Sequence, residues 1–182
     1  VEYYPTYVAV AVADALLETM LAEEWAQDAP VIFGKPRPCK RRTCAFGDPG
    51  LTYGYSGMRK VAKPWTAPLG KLAETLSWDL GAPFNFCLAN LYPDGSAGIG
   101  AHADDEPDMV KGAPIVGISL GSTRDFVLST KGAGRVASIP LVHGSAVVMR
   151  GATQEECKHA LPPRKRVTTP RVSLTFRVLG VA

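Results

Sequence analysis

Residues that bind transition metals are scarce in this sequence, which has 3 histidines and 4 cysteines among its 182 residues. The cysteines lack the paired spacing of a disulfide framework, which argues against a small secreted domain and favours reduced thiols inside a cell. A zinc site remains an alternative, but its candidate ligands lack the closely spaced pairs of structural zinc sites. Those ligands are Cys39, Cys44, Cys157 and His159.

The sequence also lacks a long apolar run, a repeat, a low-complexity tract and a large charge surplus. Asp14 and Glu18 interrupt its most hydrophobic stretch, "YVAVAVADALLETMLAEEW", which has no basic leader. We therefore expect neither a signal peptide nor a membrane anchor. A net charge of +3 does not by itself indicate a polyanionic partner. Two basic clusters nevertheless allow a phosphate-binding rim: Arg37, Lys40, Arg41 and Arg42, and Arg164, Lys165 and Arg166.

The length and the apolar content fit a single domain spanning residues 1–182, and we expect a monomer. Apolar residues at helical spacing predict one helix over residues 11–26 and a second over 66–81. Thr66 is placed to cap the second helix and Gly81 to end it. We expect the helices to belong to an N-terminal part, residues 1–82, and a β-rich core to occupy residues 83–182.

Short strands separated by turns are predicted after Pro83, without a helix between them. Two helices followed by about eight strands favour an α+β fold, a double-layer jelly roll with the helices packed on one sheet. The predicted strands are "FNFCLANLY", "IGAHAD", "PIVGISLG", "RDFVLST", "RVASIPL", "SAVVMR", "CKHAL" and "RVSLTFRVL".

The segment "NLYPDGSAGIGAHADDE" carries the first sign of a reactive site. Residues two apart on a strand share a face, so His102 and Asp104 are expected to project into one space. A third ligand would come from His159, within a strand, or from His143, within a turn where local bonding is more common. We favour His159. Two imidazoles and one carboxylate are typical of non-haem Fe(II) oxygenases, whereas a core histidine beside a surface acid is the ordinary alternative.

Alternation in "RVSLTFRVL" places two arginines on the polar face of a strand whose other face is apolar. Buried guanidinium groups are costly unless they meet anions, so this face is suited to both ends of a short dicarboxylate. An exposed edge strand with solvated arginines is the alternative. Asn90 and Tyr92 share a face of an earlier strand and add hydrogen-bonding groups. The polar face carries Arg171, Ser173, Thr175 and Arg177.

Taken together, these motifs resemble the AlkB family of Fe(II)- and 2-oxoglutarate-dependent dioxygenases over residues 30–179. "NLYPDG…IGAHADDE" is similar to the family's N-x-Y and H-x-D motifs, and "HALPPRKRVTTPRVSLTFR" to its third ligand and arginine pair. The resemblance implies a double-stranded β-helix that uses Fe(II), 2-oxoglutarate and dioxygen. It places iron on His102, Asp104 and His159. It places 2-oxoglutarate on Asn90, Tyr92, Arg171, Thr175 and Arg177, with Ser173 where the family has asparagine.

Within the family, the chain is most similar to the member that repairs duplex DNA in animal nuclei. This implies an intracellular protein, nuclear if its source is eukaryotic. "VIFGK" resembles a finger hairpin whose aromatic residue enters the base stack, and "FGDPGLTYGYSG" resembles a nucleotide-recognition segment. The implied contacts with nucleic acid are Phe33, Gly34, Lys35, Arg41, Arg42, Tyr53, Tyr55, Asp105, Glu106, Arg164, Lys165 and Arg166. Tyr55 stands where that relative has phenylalanine.

The resemblance implies oxidative removal of methyl groups from bases such as 1-methyladenine and 3-methylcytosine, with release of formaldehyde. Such bases carry positive charge, so we expect Asp105 to face the damaged base. Glu106 either favours the cationic ring as well or only orients neighbours and meets solvent. Two alternatives stay open. One is an oxygenase that acts on RNA or on protein side chains, and the other is a non-catalytic nucleic-acid-binding domain of the same fold.

Overall fold

The structure is a computed structural model that describes residues 1–32, 34–130, 132 and 134–180. Three helices lie within these ranges: α1 (Val10–Leu21), α2 (Ala67–Leu80) and α3 (Thr153–Glu156). None of the described helices combines the length and the apolar character that crossing a membrane would require.

Sixteen strands accompany these helices in the described part of the chain. The first eight precede α2: β1 (Glu2–Tyr4), β2 (Ala26–Gln27), β3 (Val31–Ile32), β4 (Lys35–Pro36), β5 (Arg42–Gly47), β6 (Thr52–Tyr55), β7 (Met58–Val61) and β8 (Lys63–Pro64). The others follow it: β9 (Phe86–Tyr92), β10 (Ile99–His102), β11 (Ile115–Gly121), β12 (Arg124–Thr130), β13 (Gly134–Leu141), β14 (Ala146–Met149), β15 (Cys157–Leu161) and β16 (Arg171–Arg177).

The strands form two sheets and two small hairpins. The major sheet has eight strands in the order β1-β14-β11-β16-β9-β5-β2, with β8 added alongside β5. The minor sheet has four strands in the order β10-β15-β12-β13. Strands β3 and β4 form one hairpin, and β6 and β7 the other. The major sheet takes strands from both sides of residue 82, and the division of the chain there stays a prediction.

Helices α1 and α2 cover the outer face of the major sheet. Leu16 and Met20 of α1 and Leu69 and Leu76 of α2 are fully or almost fully buried in one cluster with the alternate residues of the central strands. On β16 these alternate residues are Val172, Leu174 and Phe176. The period of two therefore sends the apolar side chains of β16 towards the helices and its polar side chains towards the opposite, inner face.

The inner face of the major sheet packs against the minor sheet over part of its width. Ile115 and Met149 of the major sheet share a buried cluster with Phe126, Leu128 and Leu161 of the minor sheet. The β6–β7 hairpin covers another part of the inner face, where Tyr53 packs beside Phe86 with ring centroids 5.3 Å apart. The space between the minor sheet and this hairpin is left for the candidate site.

Both predicted helices are present, with differences at their ends. α1 stops at Leu21, earlier than predicted, because the chain turns back and the Trp25 indole Nε1 donates to the Met20 carbonyl at 3.0 Å. Gly81 ends α2 in the left-handed conformation, at φ 64°. Thr66 occupies the N-cap position, but its side chain makes no capping hydrogen bond. Pro68, in the first turn, has no N–H that could donate to the Thr66 side chain.

The structure contains all eight strands predicted after Pro83, and the jelly-roll expectation is confirmed. Sequence reasoning missed β1, which pairs with β14 at the margin of the major sheet, and the short helix α3. No individual strand is predicted between the two helices, where the structure has β2 to β8. Of these, β5 enters the major sheet beside β9, with Phe46 opposite Cys87 in the register.

The core predicts a large difference between two aromatic substitutions. Phe176 has no exposed surface, whereas Trp78 on α2 is 89% exposed. We expect Phe176→Ala to lower the free energy of unfolding by about 3–5 kcal/mol through lost burial and a cavity. Trp78→Ala should change it by less than about 0.5 kcal/mol. Urea denaturation of the two variants measures both values, and similar losses would contradict this description of the core.

Candidate active site

A metal-binding group is assembled at the junction of β10 and β15. His102 ends β10 and lies directly opposite His159 of β15 in the antiparallel register. Asp104 follows two residues after the strand ends. Its Oδ1 is 3.5 Å from His102 Nε2 and 4.0 Å from His159 Nε2. One ligand atom from each residue lies within 4.8 Å of the others, so one ion can contact all three.

The protonation of the group suits a cation. Burial lowers the pKa of His159 to about 4, despite the opposing effect of Asp104, so its imidazole is neutral at pH 7. Burial would raise the pKa of Asp104, but above all the charge of Arg177 holds it below its usual value. His102 Nδ1 lies 2.9 Å from the Gly100 carbonyl oxygen, and donating to it leaves Nε2 as the ligand atom.

Asp104 is held from two sides. Its main-chain N–H donates to Gln154 Oε1 at 2.9 Å, and its Oδ2 accepts from Arg177 Nη2 at 2.8 Å. Gln154 lies on α3, immediately before the strand that carries His159. Sequence reasoning missed Gln154, because a single glutamine on an unpredicted helix gives no signal. The short helix therefore orients Asp104 through the side chain of Gln154, and it leads directly into the strand that carries His159.

The remaining histidine and the cysteines lie apart from this group. His143 Nδ1 accepts the Gly121 N–H at 2.8 Å, and its Nε2 is 3.1 Å from Asp14 Oδ1. The turn position thus serves local bonding, as expected. All four cysteines are free, and across the described residues the only three-ligand group is the one around Asp104. The alternative zinc site is therefore not formed by these cysteines and His159.

The two arginines of β16 point to the inner face, as the alternation predicts. Arg171 and Arg177 are 2% and 4% exposed. Arg171 Nη2 donates to Ser119 Oγ at 2.8 Å, while Arg177 contacts Asp104. Burial lowers the pKa of Arg171 to about 10, so it stays charged at pH 7. Burial also disfavours the charged form of Arg177, but above all the negative charge of Asp104 raises the pKa of Arg177 above its ordinary value.

Strand register places the other predicted polar residues beside these arginines. Tyr92 lies opposite Arg171, and Asn90 lies opposite Ser173. The guanidinium of Arg171 lies 5.4 Å from the centre of the Tyr92 ring. Asn90 Oδ1 accepts from Arg41 Nη1 at 2.9 Å, so Arg41 reaches into the interior rather than facing outward. This bond could not be anticipated from the basic cluster that contains Arg41.

One cavity of about 600 Å³ joins the metal group, the arginine face and the β6–β7 hairpin. The metal group lies on the side formed by the minor sheet, and the arginines lie on the side formed by the major sheet. The predicted residues that line it are Arg41, Tyr53, Tyr55, Asn90, Tyr92, His102, Asp104, Glu106, His159, Arg171, Ser173, Thr175 and Arg177.

Glu106, and not Asp105, belongs to this cavity. Tyr53 is 1% exposed and donates its hydroxyl to Glu106 Oε2 at 2.6 Å. Asp105 is exposed and is absent from the lining, so of these two predicted base contacts the structure brings only Glu106 to the cavity. β10 ends at His102, so strand alternation does not extend to Asp105 and Glu106.

The other predicted nucleic-acid contacts lie on the surface. Gly34, Lys35 and Arg42 are exposed, and so are Arg164, Lys165 and Arg166 in the loop before β16. The loop is fixed by main-chain bonds between Gly95 and Arg164 and between Gly95 and Val167, both 2.7 Å. A Cβ at Gly95 would lie 1.8 Å from the Arg164 carbonyl oxygen, so only glycine allows this approach. Phe33 lies outside the described residues.

A profile of the 2OG-Fe(II) oxygenase superfamily matches residues 1–177 of the sequence. This chain belongs to the 2OG-Fe(II) oxygenase superfamily. The chain is 42% identical to DNA oxidative demethylase ALKBH2 from Homo sapiens over 154 residues, 80% of this chain and 59% of the relative. It is 32% identical to alkB homolog 3 from Homo sapiens over 187 residues, 97% of this chain and 65% of the relative.

These relatives confirm the resemblance to AlkB proteins, and the chain spans less than two thirds of their length. A solved structure of OsALKBH1 superposes with a TM-score of 0.65 at 19% identity, covering 97% of this chain and 96% of the other. At that identity the superposition shows the fold alone, and it agrees with the jelly roll described above.

The superfamily implies Fe(II), 2-oxoglutarate and dioxygen, and the residues present fit them. Two imidazoles and one carboxylate are the donor set of non-haem iron, and they leave coordination positions free for other ligands. The Nε atoms of Arg171 and Arg177 are buried and find no hydrogen-bond partner within the described part of the protein. Buried donors of this kind are costly unless an anion accepts from them, which suits a dicarboxylate.

The metal group predicts different effects for two histidine substitutions. His159→Ala removes a ligand and should weaken Mn(II) binding, used as a stand-in for Fe(II), by at least about 100-fold. His143→Ala is the matched control, because His143 pairs with Asp14 away from the cavity, and it should leave the affinity within about twofold. Calorimetric titration under nitrogen measures both, and unchanged affinity in His159→Ala would contradict the assignment.

Proposed function

We propose that this protein removes N-linked methyl groups from nucleic-acid bases, above all in DNA, by oxidation. One observation carries the proposal: a single cavity is lined by the metal group, by the two arginines of β16, and by an aromatic wall formed by Tyr53 and Tyr55 with Glu106 beside it. The relatives named DNA oxidative demethylase support the substrate class. The cavity, at about 600 Å³, has the size of a small-molecule site and accommodates a co-substrate beside a base.

Each cofactor is assigned to its own part of the cavity. His102, Asp104 and His159 hold iron, and Arg171 and Arg177 hold the carboxylates of 2-oxoglutarate, with Asn90, Tyr92, Ser173 and Thr175 around them. When bound, iron and 2-oxoglutarate supply the oxidation, in which dioxygen hydroxylates a methyl group while 2-oxoglutarate becomes succinate and carbon dioxide. The hydroxymethyl product then loses formaldehyde. The protein's own part is to orient the reactants and exclude water.

The aromatic wall and Glu106 select the base. The rings of Tyr53 and Tyr55 lie 5.8 Å apart in the lining of the cavity, and stacking of an aromatic ring on a base contributes about 1–3 kcal/mol. A base methylated at a Watson–Crick nitrogen is cationic, so the Glu106 carboxylate favours it over its neutral counterpart. The Tyr53 hydroxyl fixes Glu106 in this position through the 2.6 Å bond.

The exposed basic loop suits the phosphate backbone. Arg164, Lys165 and Arg166 are supported by the Gly95 contacts, so their main chain is fixed while their side chains are exposed. Lys35 and Arg42 are exposed as well and add positive charge to the surface. A base must leave its stack to enter the cavity, at a cost of a few kcal/mol that is smallest for a damaged pair. That Phe33 enters the base stack in its place stays a prediction.

The compartment follows from the same proposal. All four cysteines are free, which suits the reducing interior of a cell. A DNA-repair role places the protein in the nucleus if its source is eukaryotic. We propose that it acts as a monomer, since the basic surface and the cavity come from one chain.

Methylated oligonucleotides test the activity directly. We expect formaldehyde release from 1-methyladenine and 3-methylcytosine in single- and double-stranded DNA, dependent on Fe(II) and 2-oxoglutarate. Asp104→Ala should abolish it because a metal ligand is lost. Succinate without any formaldehyde would indicate a different substrate, and activity on methylated RNA alone would favour the RNA alternative. Failure to form succinate under every condition would favour a non-catalytic binding domain.

The two neighbouring acids give a sharper test of base selection. Glu106→Gln removes the charge that faces the cavity, and we expect kcat/KM for 3-methylcytosine oligonucleotides to fall by about 10–100-fold, in line with the loss of a charge-assisted contact. Asp105→Asn is the matched control, because Asp105 is exposed outside the cavity, and should stay within about twofold. Equal losses in the two variants would reject the assignment to Glu106.

A further inference from the structure

A buried carboxylate behind the aromatic wall has no part in the chemistry described so far. Asp28 follows β2 and is 3% exposed. Its Oδ2 accepts from the hydroxyl of Tyr55 and, at 2.9 Å, from Thr43 Oγ1. Its Oδ1 accepts from the ammonium group of Lys60. Both carboxylate oxygens are therefore occupied by donors from two other segments, strand β5 and the β6–β7 hairpin.

The main chain of Asp28 and the side chain of Gln27 add contacts with a third segment, at Cys39. The Asp28 carbonyl accepts the Cys39 N–H at 2.7 Å, and Gln27 Nε2 donates to the Cys39 carbonyl at 3.0 Å. Cys39 and Tyr55 both line the cavity, whereas Asp28 does not. A single residue outside the cavity thus joins the pieces of chain that form its outer wall.

The hairpin depends on such contacts for its position. A two-stranded hairpin is at best marginally stable alone, so its attachments decide where its side chains point. On one side Gly54 N donates to Asp108 Oδ2 at 2.8 Å and Tyr53 bonds Glu106. On the opposite side, Asp28 bonds two hairpin residues at once.

Stability alone gives no reason for this arrangement. Replacing a buried ion pair by apolar residues of similar size is often neutral or stabilising, so Asp28 and Lys60 are costly choices for a merely structural contact. Burial would raise the pKa of Asp28, but the bonds from Lys60, Tyr55 and Thr43 hold it below the usual value. The carboxylate is therefore charged at pH 7, which strengthens its bond to the Tyr55 hydroxyl.

We propose that Asp28 is a positioning residue that sets the orientation of the Tyr55 ring against the base in the cavity. The inference rests on the proposed demethylase function. Asp28 touches no reacting atom and acts through the Tyr55 hydroxyl, while Lys60 balances its charge. The iron and 2-oxoglutarate residues lie on or beside β9, β10, β15 and β16, so loss of the contact affects base binding and leaves the oxidation step in place.

The decisive variant is Asp28→Asn, which keeps the shape but removes the charge. We expect its KM for a methylated oligonucleotide to rise about 10-fold, with kcat and the KM for 2-oxoglutarate within about twofold. Glu23→Gln is the matched control, because Glu23 pairs with Lys63 on the surface at 3.3 Å, and should behave as the wild type. A loss of kcat equal to the rise in KM would overturn the positioning role.

Tyr55→Phe gives a second test that does not rely on the folding of Asp28→Asn. The ring remains and the hydroxyl is lost, so KM should rise as in Asp28→Asn. The double variant should then be no worse than Asp28→Asn alone, because both changes act on the one hydrogen bond between Tyr55 and residue 28. An unchanged KM in Tyr55→Phe, or additive losses in the double variant, would overturn the inference.

Hydrogen exchange separates this inference from the proposed function, since it requires no substrate. In Asp28→Asn, the amides of residues 52–61 should exchange at least about 10-fold faster, while those of β16 keep their wild-type rates. Unchanged exchange in residues 52–61 would overturn the role of Asp28. A wild-type protein inactive on every methylated oligonucleotide would instead overturn the proposed function, so the two failures appear in different measurements.

Discussion

The ion pair between Arg177 and Asp104 is the contact on which the rest of the site depends. It joins the middle of the major sheet to the end of the minor sheet, at 2.8 Å between Nη2 and Oδ2. Removing either partner would leave the other as an uncompensated buried charge, which commonly costs about 3–5 kcal/mol. The same pair holds Asp104 ionised beside two imidazoles and holds Arg177 over the ring of Tyr53, 4.8 Å from its centre. The metal group, the arginine face and the aromatic wall therefore share one interaction.

Most of the β-rich core could be predicted because its strands alternate and end at clear turns. On β16, a period of two separates Val172, Leu174 and Phe176 from the polar residues, and the structure follows that division. The strands before α2 could not be placed in this way. Several contain only two residues, too few for a period, and their pairing is decided by tertiary contacts such as that of β2 with β5. The end of α1 likewise depends on a bond from Trp25, beyond the helix itself.

The candidate site was predictable to the extent that its residues repeat a pattern. The arginines follow the alternation of β16, and a position within a strand rather than a turn favours His159 over His143. Asp104 lies two residues beyond the end of β10, so the H-x-D spacing predicts its place better than strand alternation does. The sequence predicts base contacts from both Asp105 and Glu106, and only the folded chain shows that Glu106 lines the cavity and Asp105 does not. Asp28 and Gln154 belong to no pattern. Their partners lie at distant points of the chain, so only the folded arrangement shows what they bind.

The helical layer covers the side of the major sheet that points away from the cavity. Trp78 is 89% exposed on that layer, while Leu76, two positions earlier, faces the sheet without exposure. A fluorophore, affinity handle or surface linker attached along the outer side of α2 would thus stand a full sheet away from the reacting atoms. The protein can be immobilised on a bead or sensor chip by that side, which lies across the major sheet from the cavity.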